Sequence, residues 1–176
     1  MFPVTIIDQH ARERDLEYVV IGGHAVNVYC EPRATLDVDF LVRKEDRDRW
    51  CQLLNDEGFQ LRHDGQAFLQ FSPPYGVEWR LDLMLVNSTT FEKVFRSARQ
   101  VQLLGIHTRI PCPEHVIGMK LHALKHGHAE RFEKDFGDVL SLTRNAGLDP
   151  RSETYRQLVE QFGTIELYER IVQRFS

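Results

Sequence analysis

A chain of 176 residues, 42% hydrophobic and 27% charged, has the composition of a globular protein able to bury one sizeable core. Its formal net charge of −4 gives no support for the broad basic surface that wraps nucleic acid. No segment approaches the roughly 20 consecutive apolar residues of a membrane span, so no membrane partner is expected. The first residues lack a basic stretch followed by an apolar core, and no signal peptide is read there. Three cysteines (Cys30, Cys51 and Cys112) without Cys-x-x-Cys spacing point to reduced thiols and a cytoplasmic location. The charge is uneven: residues 1–87 hold 9 basic and 15 acidic side chains, and residues 88–176 hold 13 and 11.

In chain order, Ile6, Ile7, His10, Ala11 and Arg14 recur at helical spacing and predict a first helix over 5–16. Tyr18–Ile21 is a short apolar run ending at glycine, read as a buried strand, and His24–Tyr29 should form a helix behind the Gly22-Gly23 turn. Ala34–Val42 alternates as a strand. Arg43–Glu57 carries Trp50, Leu53 and Leu54 on one helical face, with Gly58 as C-cap. Phe59–His63, Ala67–Ser72 and Val77–Val86 read as strands separated by Asp64-Gly65 and Pro73-Pro74-Tyr75-Gly76 turns. Thr89–Arg99 reads as a Thr-capped helix, and Gln100–Ile110 as two strands meeting near Leu104-Gly105. Helices follow over 114–126, 129–146, 150–162 and 164–175, the third opened by an Asp149-Pro150 cap. The expected fold class is α/β (α+β): a mixed sheet flanked by helices over 1–110, then a helical region over 111–176.

Two features carry chemistry. Gly22 and Gly23 follow an apolar strand, and paired glycines let backbone approach a polyphosphate closely. Asp37 and Asp39 leave the same face of a strand, because its period is two, and both can reach one Mg2+ or bridge two. The alternative is a solvated polar strand face. A third carboxylate, Asp82, is centred in the apolar run Leu81–Leu85, where it is costly unless paired or metal-bound. It is either a third metal ligand or the partner of Arg80 or Arg33.

In their order these features resemble the signature of the nucleotidyltransferase superfamily that includes DNA polymerase β. Arg33-x-Thr35-x-Asp37-x-Asp39 narrows the likeness to the bacterial AbiEii toxins of abortive-infection systems. So do Lys120-Leu121-His122-Ala123 and Lys134-Asp135-x-x-Asp138. The resemblance spans about residues 18–142. It implies Mg2+ held by Asp37, Asp39 and Asp82, and an NTP contacted by Gly22, Gly23, His24, Arg33, Thr35 and Lys120. It also implies a catalytic role for Lys120 and Asp138, which with Asp135 shares a helix face. Either of those aspartates positions Lys120 or assists deprotonation of the acceptor hydroxyl. The plainer alternative pairs Lys134 with Asp138 and Arg131 with Asp135. For His24, phosphate contact and helix capping both stay open.

His122 and His126 stand at i, i+4 with His128 close behind, a spacing that can bind Zn2+. No glutamate follows the first histidine and no third ligand is recognisable, so protonatable surface histidines are the better account. The Gly-Gly turn lacks the marks of a dinucleotide fingerprint or a P-loop, and no nucleophile elbow occurs. The expected activity is Mg2+-dependent transfer of NMP from NTP to an acceptor hydroxyl, AbiEii-like, on RNA or protein and with a cognate antitoxin as partner. The alternatives are an aminoglycoside- or lincosamide-type enzyme with a small acceptor, and a non-catalytic binding module.

Overall fold

Apolar alternation over three strand regions produces the central sheet of a mixed α/β fold. A computed structural model describes residues 3–127 and 129–175. The chain divides into two compact units: Met1–Ala25 with Arg33–Cys112, and Val26–Pro32 with Pro113–Ser176.

The first unit holds helix α1 (Pro3–Glu13), strand β1 (Val19–Ile21), strand β2 (Asp37–Arg43) and helix α3 (Arg47–Asp56). Strands β3 (Gln60–Asp64), β4 (Phe68–Ser72) and β5 (Arg80–Val86) follow. Helix α4 (Ser88–Ser97) and the hairpin β6 (Arg99–Leu103) and β7 (Ile106–Ile110) complete it. Helix α2 (Gly22–Tyr29) crosses the division in the chain. The five-stranded sheet runs β1-β2-β5-β4-β3, with β2 and β5 parallel and the other pairs antiparallel.

One sheet face builds the core. Val38, Phe40 and Val42 of β2 and Leu81, Leu83 and Leu85 of β5 are buried on it, as period two requires. Phe40 stacks on Tyr18 at 4.2 Å between ring centroids, and Trp50 of α3 meets both rings edge-on. Tyr18 donates from its hydroxyl to buried Asp8 at 2.6 Å, and Arg12 binds the other oxygen of that carboxylate at 2.9 Å. The second unit is helical. Helices α5 (Pro113–His126) and α6 (Phe132–Asn145) pack together, and α7 (Glu153–Phe162) packs on α5 and on α8 (Ile165–Gln173).

Several boundaries move for local reasons. Helix α2 starts at Gly22, which adopts φ +65°, rather than at His24. Ladder pairing in β2 begins at Asp37, not Ala34, and that in β5 at Arg80, not Val77, whose N–H closes a turn onto the Pro74 carbonyl. The expected Thr cap of α4 is Asn87, which accepts from the Thr90 N–H at 2.8 Å. For α7 the cap is Ser152; Asp149 instead accepts from the Arg151 N–H within the preceding turn. Short 3-10 turns, Lys44–Asp46 and Ala129–Arg131, precede α3 and α6. Gly58 does end the α3 region, at φ +81° with its N–H on the Asn55 carbonyl. Among the described residues no helix is long and apolar enough to cross a membrane.

Candidate active site

The turn from β1 into α2 lies directly against β2. A β-carbon added to Gly22 would fall inside the Asp39 carboxylate, so only glycine lets the two come together. A β-carbon on Gly23 would stand 2.7 Å from Thr35 Oγ1. The glycines are thus matched, one to one, with two polar positions of the Arg33–Asp39 segment. The loop through Glu31 and Pro32 accommodates its length without displacing β2, because Ile21 still pairs with Asp39. The Thr35 hydroxyl donates to the Asp37 carbonyl at 3.4 Å.

Gly22 also opens α2, whose first N–H groups lack intrahelical acceptors and carry the positive end of the helix dipole. That end favours anions, phosphate among them. His24 sits half-buried in the first turn, and burial holds its imidazole below the ordinary histidine pKa. Arg33 lies half-exposed just before β2.

The acidic residues share the sheet face opposite the Phe40–Leu83 core. Parallel pairing sets Asp39 opposite Asp82 and Asp37 opposite Arg80. Neighbouring strands stand about 4.8 Å apart, so Asp39 and Asp82 are adjacent carboxylates, which repel unless a cation or donor is near. Arg80 donates from Nε to Asp37 Oδ1 at 3.1 Å, the exposed pair that the parallel register dictates. Asp82 is buried, and Gln70 of β4 donates to its Oδ2 at 3.3 Å. Gln70 was invisible in the sequence; its only signal was its place in the alternation of Ala67–Ser72.

Among the described residues no three His, Cys, Asp or Glu side chains are gathered closely enough to hold a metal ion. The donor set of Asp37, Asp39 and Asp82 nevertheless suits a hard divalent cation such as Mg2+, since all its ligand atoms are carboxylate oxygens. The missing β-carbon at Gly22 leaves room for the Asp39 carboxylate itself, which packs against the glycine backbone. All three carboxylates fit by ligand chemistry, while the register brings together only Asp39 and Asp82 and leaves Asp37 paired with Arg80.

The second unit contains a separate charged cluster. Lys120 of α5 is buried, with Nζ 2.6 Å from Asp135 Oδ1 and 2.9 Å from Asp138 Oδ2 of α6. Arg131 lies 3.9 Å from the other Asp135 oxygen, so that expected pairing exists beside the Lys120 contact. Three polar side chains buried together satisfy one another, and the cluster ties α5 to α6. His122 and His126 are exposed on α5 with ring centroids 4.5 Å apart, and burial together with His126 and Lys125 holds the His122 pKa down. His128 lies outside the described residues.

Residues 6–166 match the model of a family described as uncharacterised nucleotidyltransferase. No curated protein matches the sequence. Among solved structures, the chain is similar to ANT(2'')-Ia in complex with adenylyl-2''-tobramycin, with TM-score 0.65 and 14% identity, covering 98% of this chain and 97% of that one. It is also similar to the lincosamide antibiotic adenylyltransferase LnuA bound to lincomycin, with TM-score 0.57 and 15% identity over 80% and 94%. A third likeness, to the Megavirus polyadenylate synthase, has TM-score 0.57 and 16% identity over 84% of this chain and 31% of that one. At these identities the structural likenesses speak to the fold.

Proposed function

We infer, for a chain that belongs to the nucleotidyltransferase family, that it moves NMP from an NTP to an acceptor hydroxyl with the help of Mg2+. The observation that carries the reading is the close approach of Gly22 to Asp39, beside Asp82 in register. It sets a phosphate-ready helix end against a carboxylate pair. Asp37, Asp39 and Asp82 would hold the metal, whose bound ions supply charge neutralisation at the attacked phosphate and the leaving pyrophosphate. Gly22 and Gly23 cradle the triphosphate with backbone N–H groups, and His24, Arg33 and Thr35 border it. Lys120 and Asp138, which resemblance marks as phosphate-contacting and proton-handling groups, belong to the proposal through the buried cluster they form with Asp135. The chemistry needs positioning and charge rather than a covalent intermediate.

For the acceptor we favour a small molecule. The fold is matched nearly end to end by ANT(2'')-Ia, solved with adenylyl-2''-tobramycin, whereas the polyadenylate synthase is matched over 31% of its length. The modest net charge agrees. The Arg33-x-Thr35-x-Asp37-x-Asp39 and Lys134-Asp135-x-x-Asp138 motifs support a second reading, an AbiEii-like toxin with a macromolecular acceptor and a cognate antitoxin.

Labelled-NMP transfer with Mg2+ and each NTP, across an aminoglycoside, a lincosamide, bulk RNA and protein, separates the two readings. Asp39→Asn is expected to lower metal-dependent NTP binding by about a hundredfold or more with an unchanged circular dichroism spectrum. Undiminished binding in that variant would remove Asp39 from the site.

A further inference from the structure

We propose that Gln70 is a positioning residue that fixes the Asp82 carboxylate, an inference that rests on the nucleotidyltransferase reading. The register aligns Asp39 of β2, Asp82 of β5, Gln70 of β4 and His63 of β3 in one row across four strands. Residues paired across a sheet project from the same face, so the row begins at the glycine turn and runs away from it towards the β3 edge.

An aspartate on a strand is free to turn about its terminal bond, and that freedom smears a ligand's direction. The Gln70 amide donates to Asp82 Oδ2 at 3.3 Å and restrains that angle. The carboxylate is an acceptor only, so the nitrogen of the amide must be the atom that faces it. Asp82 is buried while Gln70 is half-exposed, so the anchoring bond is made at the rim and not in the core.

Chemistry adds a direction. With the triphosphate at the Gly22–Gly23 flank of Asp39, in-line displacement brings the hydroxyl from the opposite flank, past Asp82. Gln70 is the next side chain of the row on that flank. It is therefore placed to hold Asp82 steady without touching the nucleotide.

The test needs no knowledge of the acceptor. Mn2+ binding is measured by paramagnetic resonance in the presence of a non-hydrolysable ATP analogue. The proteins compared are the wild type, Gln70→Met, Asp82→Asn and the double variant. Methionine keeps the length of glutamine and removes the donor. Gln70→Met is expected to weaken Mn2+ binding roughly tenfold, as loss of a group that orients a ligand does, with the melting temperature unchanged. In the Asp82→Asn background the same substitution is expected to add nothing, the non-additivity of two residues acting through one contact. Wild-type affinity in Gln70→Met overturns the inference, as does a tenfold loss that persists when Asp82 is already Asn. Absence of Mn2+–nucleotide binding in the wild type overturns the underlying reading instead.

Discussion

Glycine at position 22 does something no other residue can, and a comparison with Gly76 isolates it. Both have positive φ, +65° and +84°, but a β-carbon at Gly76 meets nothing within 4 Å, while one at Gly22 enters the Asp39 carboxylate. Gly76→Ala is expected to cost only left-handed backbone strain, about 1–2 kcal/mol, with nucleotide binding intact. Gly22→Ala is expected to carry that cost and also to weaken metal-dependent binding of an ATP analogue about tenfold or more, because Asp39 must turn away. Melting curves and titrations on the two variants check this; equal binding in both would show that Asp39 tolerates the crowding. The glycine pair and the shared face of Asp37 and Asp39 were legible because glycine need and strand period are local properties, but the contact of Gly22 with Asp39 was not. Gln70 and the Arg80–Asp37 pair were not. Arg80 stands two residues from Asp82 in sequence, yet the parallel register hands it to Asp37, and no linear pattern states a register.

At the scale of elements, periodicity found the middles of helices and missed their first residues. In α4 the sequence offers Asn87, Ser88, Thr89 and Thr90 in succession, and each is a residue type that can cap a following turn. Only Asn87 has the extended backbone of a cap and accepts the Thr90 N–H. Asn87→Ala is expected to destabilise the protein by about 1 kcal/mol in urea unfolding, and Thr89→Ala to change little. The reverse order would return the cap to threonine. The Asp149-Pro150 pair misled for a related reason: aspartate caps turns as well as helices, and here it closes the turn while Ser152 opens α7. The α5–α6 contact shows the opposite case. Lys120, Asp135 and Asp138 drew notice as motif residues, and they do meet, but as a buried trio within one helical unit.

For the molecule as a whole, acid and alkali should each unfold it through identifiable groups. Burial depresses the His24 pKa below its ordinary 6.5, so the unfolded chain binds more protons as pH falls through that value. Stability is therefore lost on the acid side. Burial raises Tyr18 and Tyr155, one in each unit, above the ordinary 10. Above pH 10 the unfolded chain has shed protons that the folded one keeps, and stability falls again. Urea midpoints across pH 5–11 should trace a dome, and His24→Gln should flatten its acid shoulder. The order of elements was readable along the chain, but the grouping of Val26–Pro32 with Pro113–Ser176 was not, since it depends on contacts between distant segments such as that of the Asn145 amide with the Tyr29 carbonyl. The parallel pairing of β2 with β5 has a further consequence in time. Asp39 is synthesised well before Asp82, and parallel strands meet only after the chain between them has crossed over, here through α3, β3 and β4. A nascent polypeptide that has reached β2 carries the glycine turn and two of the proposed carboxylates, and the third can join them only when β5 takes its place between β2 and β4.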